Sequence, residues 1–236
     1  MFYYGFDLTY LIMVMPFVIL SIWASSNVNS TFKRYSKVYS RRGLTGAQAA
    51  EQVLKNNGVY NVRIERVSGN LTDHFDPKAN VIRLSDNVYG NTSAAAIGVS
   101  CHEAGHAVQY AQDYAPIKLR AAIIPVTNIG SMLAMPLIVL GLVLNFMTEF
   151  SYTFVYIGIG CFGLSLLFQL ITLPVEFNAS HRAVSAISGA GLLEAQELDG
   201  AKKTLRAAAL TYVAAAAVSL MQLLRLILIF GGRRDD

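Results

Sequence analysis

His102-Glu103-Ala104-Gly105-His106 is the segment of this chain with the clearest potential for chemistry. On a helix, four residues turn the chain about 40° past one full turn, so the two imidazoles project from the same face. Two such nitrogens can chelate one Zn²⁺, and Glu103 lies one position round, within reach of a water on the metal. A carboxylate placed there can take the proton of the water and pass it to a leaving amine. The HExxH spacing therefore predicts zinc-assisted hydrolysis of peptide bonds.

A chance match on an amphipathic helix is the competing interpretation of this motif. The chain has only four histidines, and two of them lie here. Random placement of that composition would produce the motif on the order of a few times per thousand chains. The surroundings also favour a helix, because Asn91-Thr92-Ser93 supplies an N-cap for an Ala-rich run that extends to about Tyr114. We therefore favour the zinc interpretation.

A catalytic zinc needs a third protein ligand and one open position. Glu176 is the first candidate, since it follows the third apolar segment of the chain and an even number of membrane crossings separates it from His106. His74 and His181 are the rival ligands, although a lone histidine more often forms ordinary hydrogen bonds. Asn178, His181 and Arg182 could orient a ligand or stabilise an oxyanion.

Four apolar segments must position these residues, each close to the ~20 residues that a bilayer requires. They span about residues 8–24, 121–146, 154–173 and 205–230. Hydrophobic residues make up 54% of the 236-residue chain and charged residues only 14%, whereas soluble domains carry about 25% charge. The composition therefore predicts a mainly α membrane protein with about four transmembrane helices.

Charge placement predicts the orientation of these segments. Basic residues crowd after the first segment and again after the third, which assigns both regions to the cytoplasm: Lys33, Arg34, Lys37, Arg41 and Arg42, then Arg182, Lys202, Lys203 and Arg206. The loop between segments two and three carries one acid, Glu149, and no basic residue, so it fits the outside. Arg225, inside the fourth segment, must face the helix bundle or reach the interface. The net charge of +4 thus reflects membrane topology, and no basic stripe indicates nucleic acid.

The polar part of the chain predicts a small α+β, zincin-like domain around the HExxH helix. Thr45 and Gln48 form a capping box that opens a helix, residues 60–64 alternate like a strand, and 81–84 form a second strand. The 81–84 strand could offer a free edge to an extended substrate, or it could merely complete a small sheet. We expect Cys101 and Cys161 to be free thiols and Cys101 to be a packing residue.

The predicted domain organisation follows the order of these segments. It consists of transmembrane helix 1 (1–24), a cytoplasmic zinc-peptidase domain (25–120), transmembrane helices 2 and 3 (121–175), a cytoplasmic helical segment with the third ligand (176–204), and transmembrane helix 4 with the tail (205–236). A second metal site at Asp73, His74 and Asp76 is conceivable, but an Asp-Pro pair and a nearby Asp more often build turns.

A specific resemblance joins these motifs. HEAGHAVQ, preceded by Leu71-Thr-Asp-His-Phe-Asp-Pro77 and followed by Leu-Pro-Val-Glu-Phe-Asn-Ala-Ser180, resembles the YugP-like neutral zinc metallopeptidases of bacterial membranes and, more distantly, the HtpX/Ste24 membrane proteases. The resemblance implies one Zn²⁺ on His102, His106 and Glu176, a gluzincin-like ligand set, with Glu103 as base. Asn178 departs from the acidic residue expected there, so it supplies no charge.

Two other functions compete with a membrane endopeptidase that acts on membrane or membrane-associated proteins. A non-catalytic, zinc-stabilised scaffold or chaperone-like protein is favoured only by Asn178. A transporter or channel is supported only by the apolar segments and Arg225, and the chain lacks the repeat that such proteins often carry. The partners expected of the leading hypothesis are a peptide or protein substrate and the lipid bilayer.

Overall fold

A computed structural model describes residues 8–144 and 151–231 of the chain. Its elements are a π-helical turn (Tyr10–Val14), α1 (Met15–Tyr35), α2 (Gly46–Asn56), β1 (Arg63–Val67), β2 (His74–Asp76), β3 (Val81–Ser85), α3 (Asp86–Tyr89), α4 (Ala94–Ala111), α5 (Ala115–Leu144), α6 (Ser151–Gly189) and α7 (Ala195–Gly231). The prediction of a mainly α protein with a small α+β part is confirmed.

The chain divides into two compact units. We call Ala24–Lys118 with Leu173–Thr211 the polar unit, and Met1–Trp23 with Leu119–Thr172 and Tyr212–Asp236 the membrane unit. The ranges predicted for separate domains remain a proposal.

Among the described residues, four helices are long and apolar enough to cross a bilayer, as predicted: Tyr10–Tyr35, Ala115–Leu144, Ser151–Gly189 and Ala195–Gly231. In the most apolar stretch of each, at most 28% of the residues are buried in the protein. Apolar surface that the protein leaves exposed to this extent is what lipid-facing helices present.

Several of these helices extend beyond the predicted apolar segments. The first continues to Tyr35 instead of ending at residue 24, and α7 begins at Ala195 instead of residue 205. The third was predicted to end at residue 173, but α6 passes through Pro174 and continues to Gly189. Hydropathy marks only the apolar part of a helix, and proline is tolerated in membrane helices, which explains the difference. The predicted end at residue 146 and the loop containing Glu149 lie outside the described residues.

Small residues bring the helices of the membrane unit together. A Cβ at Gly158 would lie 2.8 Å from the carbonyl oxygen of Ala134, so α5 and α6 approach closely there. Ile138, Val155, Leu226 and Phe230 form a buried apolar cluster among α5, α6 and α7. The guanidinium of Arg225 lies 5.5 Å from the centre of the Tyr10 ring, so this cation contacts an aromatic side chain of the first helix.

The polar unit contains a three-stranded sheet in the order β1-β3-β2. β3 pairs with β1 in parallel, from Arg63↔Val81 to Val67↔Ser85, and with β2 in antiparallel orientation. Of the two alternatives for the 81–84 strand, completion of a small sheet is the one observed, because β3 is the central strand. The first strand begins at Arg63, three residues later than predicted, and Tyr60 is 78% exposed. An alternating pattern alone did not distinguish the strand from the loop that leads into it.

α4 lies at the centre of the polar unit. Its apolar side chains pack with those of α2, β3 and the parts of α6 and α7 that belong to this unit, in a core that includes Leu54, Ile82, Ile97, Ile187, Leu192 and Leu205. The predicted capping box of α2 is present, with Thr45 and Gln48 each accepting from the backbone N–H of the other. Fourteen of the eighteen residues of α4 are buried, so the HExxH segment is held by packing along most of its surface.

Candidate metal centre

His102, His106 and Glu176 lie together in the polar unit. Nε2 of His102 is 3.2 Å from Oε2 of Glu176, and Nε2 of His106 is 3.6 Å from the same oxygen. One ligand atom from each residue falls within 4.8 Å of the others. The Glu176 side chain is only 3% exposed, so two imidazole nitrogens and a buried carboxylate oxygen converge on one small volume.

This donor set fits Zn²⁺. Tetrahedral zinc with bonds of about 2.0–2.1 Å separates its ligand atoms by about 3.3 Å, close to the two nitrogen–oxygen distances observed. Two histidines and one glutamate supply three ligands and leave a fourth position open, as in catalytic zinc sites. The sequence-predicted trio is thus placed where it could hold the metal.

Helix packing explains why the three residues meet. Ser93 caps α4 by accepting a hydrogen bond from the backbone N–H of Ala96, which fixes where the helix begins. Gly105, between the histidines, lets α6 approach, because a Cβ there would lie 2.8 Å from the carbonyl oxygen of Ala179. Glu176 stands three residues before Ala179 on α6, so this close approach brings its carboxylate to the histidines.

The second ring nitrogen of each histidine has a polar partner. Nδ1 of His102 lies 3.1 Å from the hydroxyl of Ser180. Nδ1 of His106 lies 3.0 Å from Oε1 of Gln109. Such contacts orient a metal-ligating imidazole and leave its other nitrogen available for the metal.

The electrostatics of His106 indicate a place for positive charge. Burial disfavours the charged imidazolium, but the neighbouring Glu176 carboxylate and the negative charge of Glu103 outweigh burial and raise the pKa of His106 above its ordinary value. The site therefore stabilises a cation, either a proton on this ring or a metal ion in front of it.

Glu103 is buried on α4, with 8% of its surface exposed, and it does not belong to the ligand cluster. Its negative charge reaches Asp73, just before β2: burial, with a smaller contribution from Glu103, raises the pKa of Asp73 above its ordinary value. Asp73 also accepts hydrogen bonds from the backbone N–H and the hydroxyl of Ser85. Glu103 is thus close enough to Asp73 to influence it electrostatically.

The rival ligands lie elsewhere. His181 is exposed, and none of the hydrogen bonds described around the cluster involves it. His74 is also exposed, and its Nδ1 contacts the carbonyl oxygen of Thr72. Asp76 accepts from the backbone N–H groups of Lys78 and Ala79, which is the turn-building role. Among the described residues, the conceivable second metal site does not form a cluster.

Sequence reasoning missed Gln109 and Ser180. Gln109 follows His106 by three residues on the same helix, a spacing that places two side chains side by side, and this signal was available. Ser180 follows Glu176 by four residues on α6, a spacing that also places two side chains on the same face of a helix. Its hydroxyl contacts His102.

Comparison with known proteins identifies the family of this chain. The chain belongs to the family described as "putative neutral zinc metallopeptidase", which matches residues 10–231. It is also 48% identical over 217 residues to "Putative membrane protease YugP" of Bacillus subtilis (strain 168), a match that covers 92% of this chain and 94% of that protein. No solved structure matches the chain. The predicted resemblance to the YugP-like neutral zinc metallopeptidases is confirmed.

Proposed function

We propose that this protein is a zinc-dependent, gluzincin-like endopeptidase of the cell membrane that hydrolyses peptide bonds of membrane or membrane-associated proteins. The observation that carries the proposal is the convergence of His102, His106 and Glu176 within 4.8 Å, with Glu103 on the same helix as both histidines. Membership of a zinc metallopeptidase family and the four apolar helices support it.

The residues of the chain divide the chemical work. His102, His106 and Glu176 would hold one Zn²⁺, which, when bound, activates water and polarises the scissile carbonyl. Glu103 takes a proton from the attacking water and returns it to the leaving amine. Its burial excludes bulk water from this carboxylate, which strengthens its electrostatic interactions with the reacting groups.

In this proposal, Asn178 and Arg182 support His106 through Gln109, and neither is assigned to the oxyanion. Oδ1 of Asn178 accepts hydrogen bonds from Gln109 and from Nε of Arg182, and Nη1 of Arg182 donates to Gln112. These hydrogen bonds direct Oδ1 of Asn178 toward Gln109 and Nη1 of Arg182 toward Gln112. His181 is exposed, and none of the hydrogen bonds described around the cluster involves it, so we assign it no role in the proposed reaction.

We further propose that the polar unit faces the cytoplasm. The support is the cluster of basic residues at the end of α1, where Lys33 and Arg34 occupy the last turn and further basic residues follow. Cysteine substitution of Ser36 tests this orientation, with accessibility to a membrane-impermeant thiol reagent as readout. Labelling only after the membrane is permeabilised is expected, and labelling in intact cells would contradict the cytoplasmic orientation.

Zinc content is the first test of the site. Detergent-purified wild type is expected to bind one zinc per chain, and Glu176→Ala is expected to lose it because a buried ligand is removed. His181→Ala is the matched control, since it removes an exposed side chain from the same helix, and it is expected to keep its zinc. A wild type that binds no zinc after metal-replete purification, or a zinc-loaded Glu176→Ala, would contradict the proposed ligands.

Proteolysis tests the role of Glu103. Glu103→Gln keeps the volume of the side chain and removes its basic carboxylate, so cleavage of an unfolded protein substrate is expected to fall by about 10²–10⁴-fold. Zinc content should stay at the wild-type level, because Glu103 is not a ligand. A fully active Glu103→Gln variant would rule out this residue as the base.

A zinc-stabilised scaffold remains the second candidate, and Asn178 was the feature that favoured it. Asn178 accepts two hydrogen bonds through its amide oxygen, as a carboxylate oxygen would, so its lack of charge no longer argues against catalysis. Zinc-loaded wild type that cleaves no unfolded protein or peptide would favour the scaffold.

A further inference from the structure

Gln109 is fully buried, and its side-chain amide makes three hydrogen bonds. Oε1 lies 3.0 Å from Nδ1 of His106. Nε2 donates to the carbonyl oxygen of Val175 and to Oδ1 of Asn178, at 2.9 Å in each case. With 0% of its surface exposed, Gln109 has no water to replace any of these partners.

The Val175 contact determines which way the amide points. A backbone carbonyl oxygen can only accept, so the NH₂ group of Gln109 must face Val175, and Oε1 must face His106. Since Oε1 can only accept, Nδ1 of His106 must carry the hydrogen. In the neutral ring the lone pair is then on Nε2, the nitrogen that lies 3.6 Å from Glu176.

Asn178 is oriented by the same reasoning. Nε of Arg182 can only donate, and it lies 2.7 Å from Oδ1 of Asn178. The amide oxygen of Asn178 therefore faces both Arg182 and Gln109, and it accepts from each. Arg182 is held in turn by Gln112, whose Oε1 accepts from Nη1 at 2.6 Å.

We propose that Gln109 is a positioning residue that holds His106 in the tautomer whose Nε2 can bind zinc, and that Asn178 and Arg182 fix the orientation of the Gln109 amide. The proposal rests on the proposed zinc site. It also explains why an uncharged residue is sufficient at position 178: the position needs one oxygen that accepts two hydrogen bonds, and both amide and carboxylate provide it.

Three variants separate the functions of the Gln109 amide. Gln109→Leu removes both the acceptor for His106 and the donors for Val175. Gln109→Glu keeps an acceptor for His106 but places a second oxygen against Val175 and Asn178, where a donor is required. Asn178→Asp keeps the oxygen that accepts from Gln109 and Arg182, so it serves as the conservative replacement. Gln52→Leu, on α2 of the same unit, is the matched control for the loss of a glutamine.

Zinc affinity of the metal-free protein, measured by competition with a chelator, is the first readout. Gln109→Leu is expected to bind zinc 10–100-fold more weakly, as loss of a partner of a ligating histidine generally does. Gln109→Glu is expected to be intermediate, whereas Asn178→Asp and Gln52→Leu should stay within about threefold of wild type.

The tautomer of His106 is the second readout, and a purely structural role of Gln109 would not change it. In ¹⁵N-histidine-labelled, metal-free protein at a pH where the ring is neutral, the His106 signals are expected to show the Nδ1–H form in wild type and Asn178→Asp. Gln109→Leu should show a mixture of both tautomers. His106→Gln identifies the signals by their disappearance.

The outcomes distinguish this inference from the proposed function. If wild type binds zinc and folded Gln109→Leu binds it equally well with an unchanged tautomer, the positioning role is wrong and the zinc site stands. If Gln109→Leu does not fold, Gln109→Met, which has a similar length and no oxygen to accept from His106, takes its place. Equal affinity and an unchanged tautomer in folded Gln109→Met overturn the inference in the same way. If wild type itself binds no zinc, both the proposed function and this inference fail.

Discussion

Buried polar groups behave differently in the polar unit and the membrane unit. In the polar unit, the hydroxyl of Thr204 donates to the carbonyl oxygen of Gly200, and every polar atom of Gln109 has a partner. In the membrane unit, three buried side-chain oxygens accept no hydrogen bond within the described residues: Oε1 of Gln169, Oγ1 of Thr172 and Oε1 of Gln222.

The two units therefore differ in how far hydrogen bonds determine the orientation of side chains. In the polar unit they fix the direction of individual side chains, because a buried polar group without a partner there would cost about 1–3 kcal/mol. In the membrane unit, some hydrogen bonds also link helices, such as the one that Gln169 donates to Ser219. Apolar contacts and close helix approaches such as Gly158 against Ala134 nevertheless occur in the same unit as buried polar atoms that have no partner among the described residues. Substitutions of matched residues in the two units should therefore have different effects.

The largest effect is expected from a methyl group at a close approach of helices. In Gly105→Ala the new Cβ would meet the carbonyl oxygen of Ala179 and push α6 away from α4, so zinc affinity should fall on the order of 10–100-fold. Gly158→Ala creates an equally close contact in the membrane unit, at 2.8 Å from the carbonyl oxygen of Ala134. It should lower the unfolding temperature while zinc affinity stays within about threefold.

Equal zinc affinities in Gly105→Ala and wild type would show that α6 tolerates the methyl group without moving Glu176. Loss of zinc in a folded Gly158→Ala variant would show that the comparison is wrong, because packing in the membrane unit would then control the site.

Two buried threonines give a medium effect. Thr204→Val removes a hydroxyl that donates a hydrogen bond and should lower the free energy of unfolding by about 1 kcal/mol. Thr172→Val removes a hydroxyl without a partner, so it should be neutral or stabilising by up to about 1 kcal/mol. Denaturant unfolding in detergent measures both. Equal losses in the two variants would mean that the Thr172 hydroxyl has a stabilising role.

The smallest effect concerns Cys101, whose packing role was predicted from helical geometry. Burial raises the pKa of the Cys101 thiol to about 12, and the thiolate is the reactive form. Native protein at pH 8 should therefore show no alkylation of Cys101 by iodoacetamide, as judged by mass spectrometry of its peptides, whereas denatured protein should be fully alkylated. Rapid alkylation in the native state would mean that α4 opens within the polar unit.

Features of the structure that depend on residues close together in the sequence were predicted correctly. The Thr45–Gln48 capping box, the N-cap at Ser93 and the placement of His102 and His106 on one helix each depend on residues a few positions apart. Glu176 was ranked first among the third ligands from topology, and the structure places it beside both histidines.

Contacts between distant segments were harder to predict. The pairing of β3 with both neighbours depends on three strands at once, so its central position could not be derived from the 81–84 segment. Ser180 contacts a histidine 78 positions away in the sequence. The continuation of α6 beyond Pro174 was missed because the end of the apolar run was taken as the end of the helix.

The position of Glu176 on α6, after the third apolar segment, has a consequence for the synthesis of the protein. His102 and Glu176 are 74 positions apart, and the whole of α5 and most of the apolar part of α6 are synthesised between them. A ribosome therefore completes the two histidines long before it supplies the carboxylate. The nascent chain cannot bring the three proposed ligands together until its third apolar helix has been made, so the proposed peptidase activity would arise only late in synthesis.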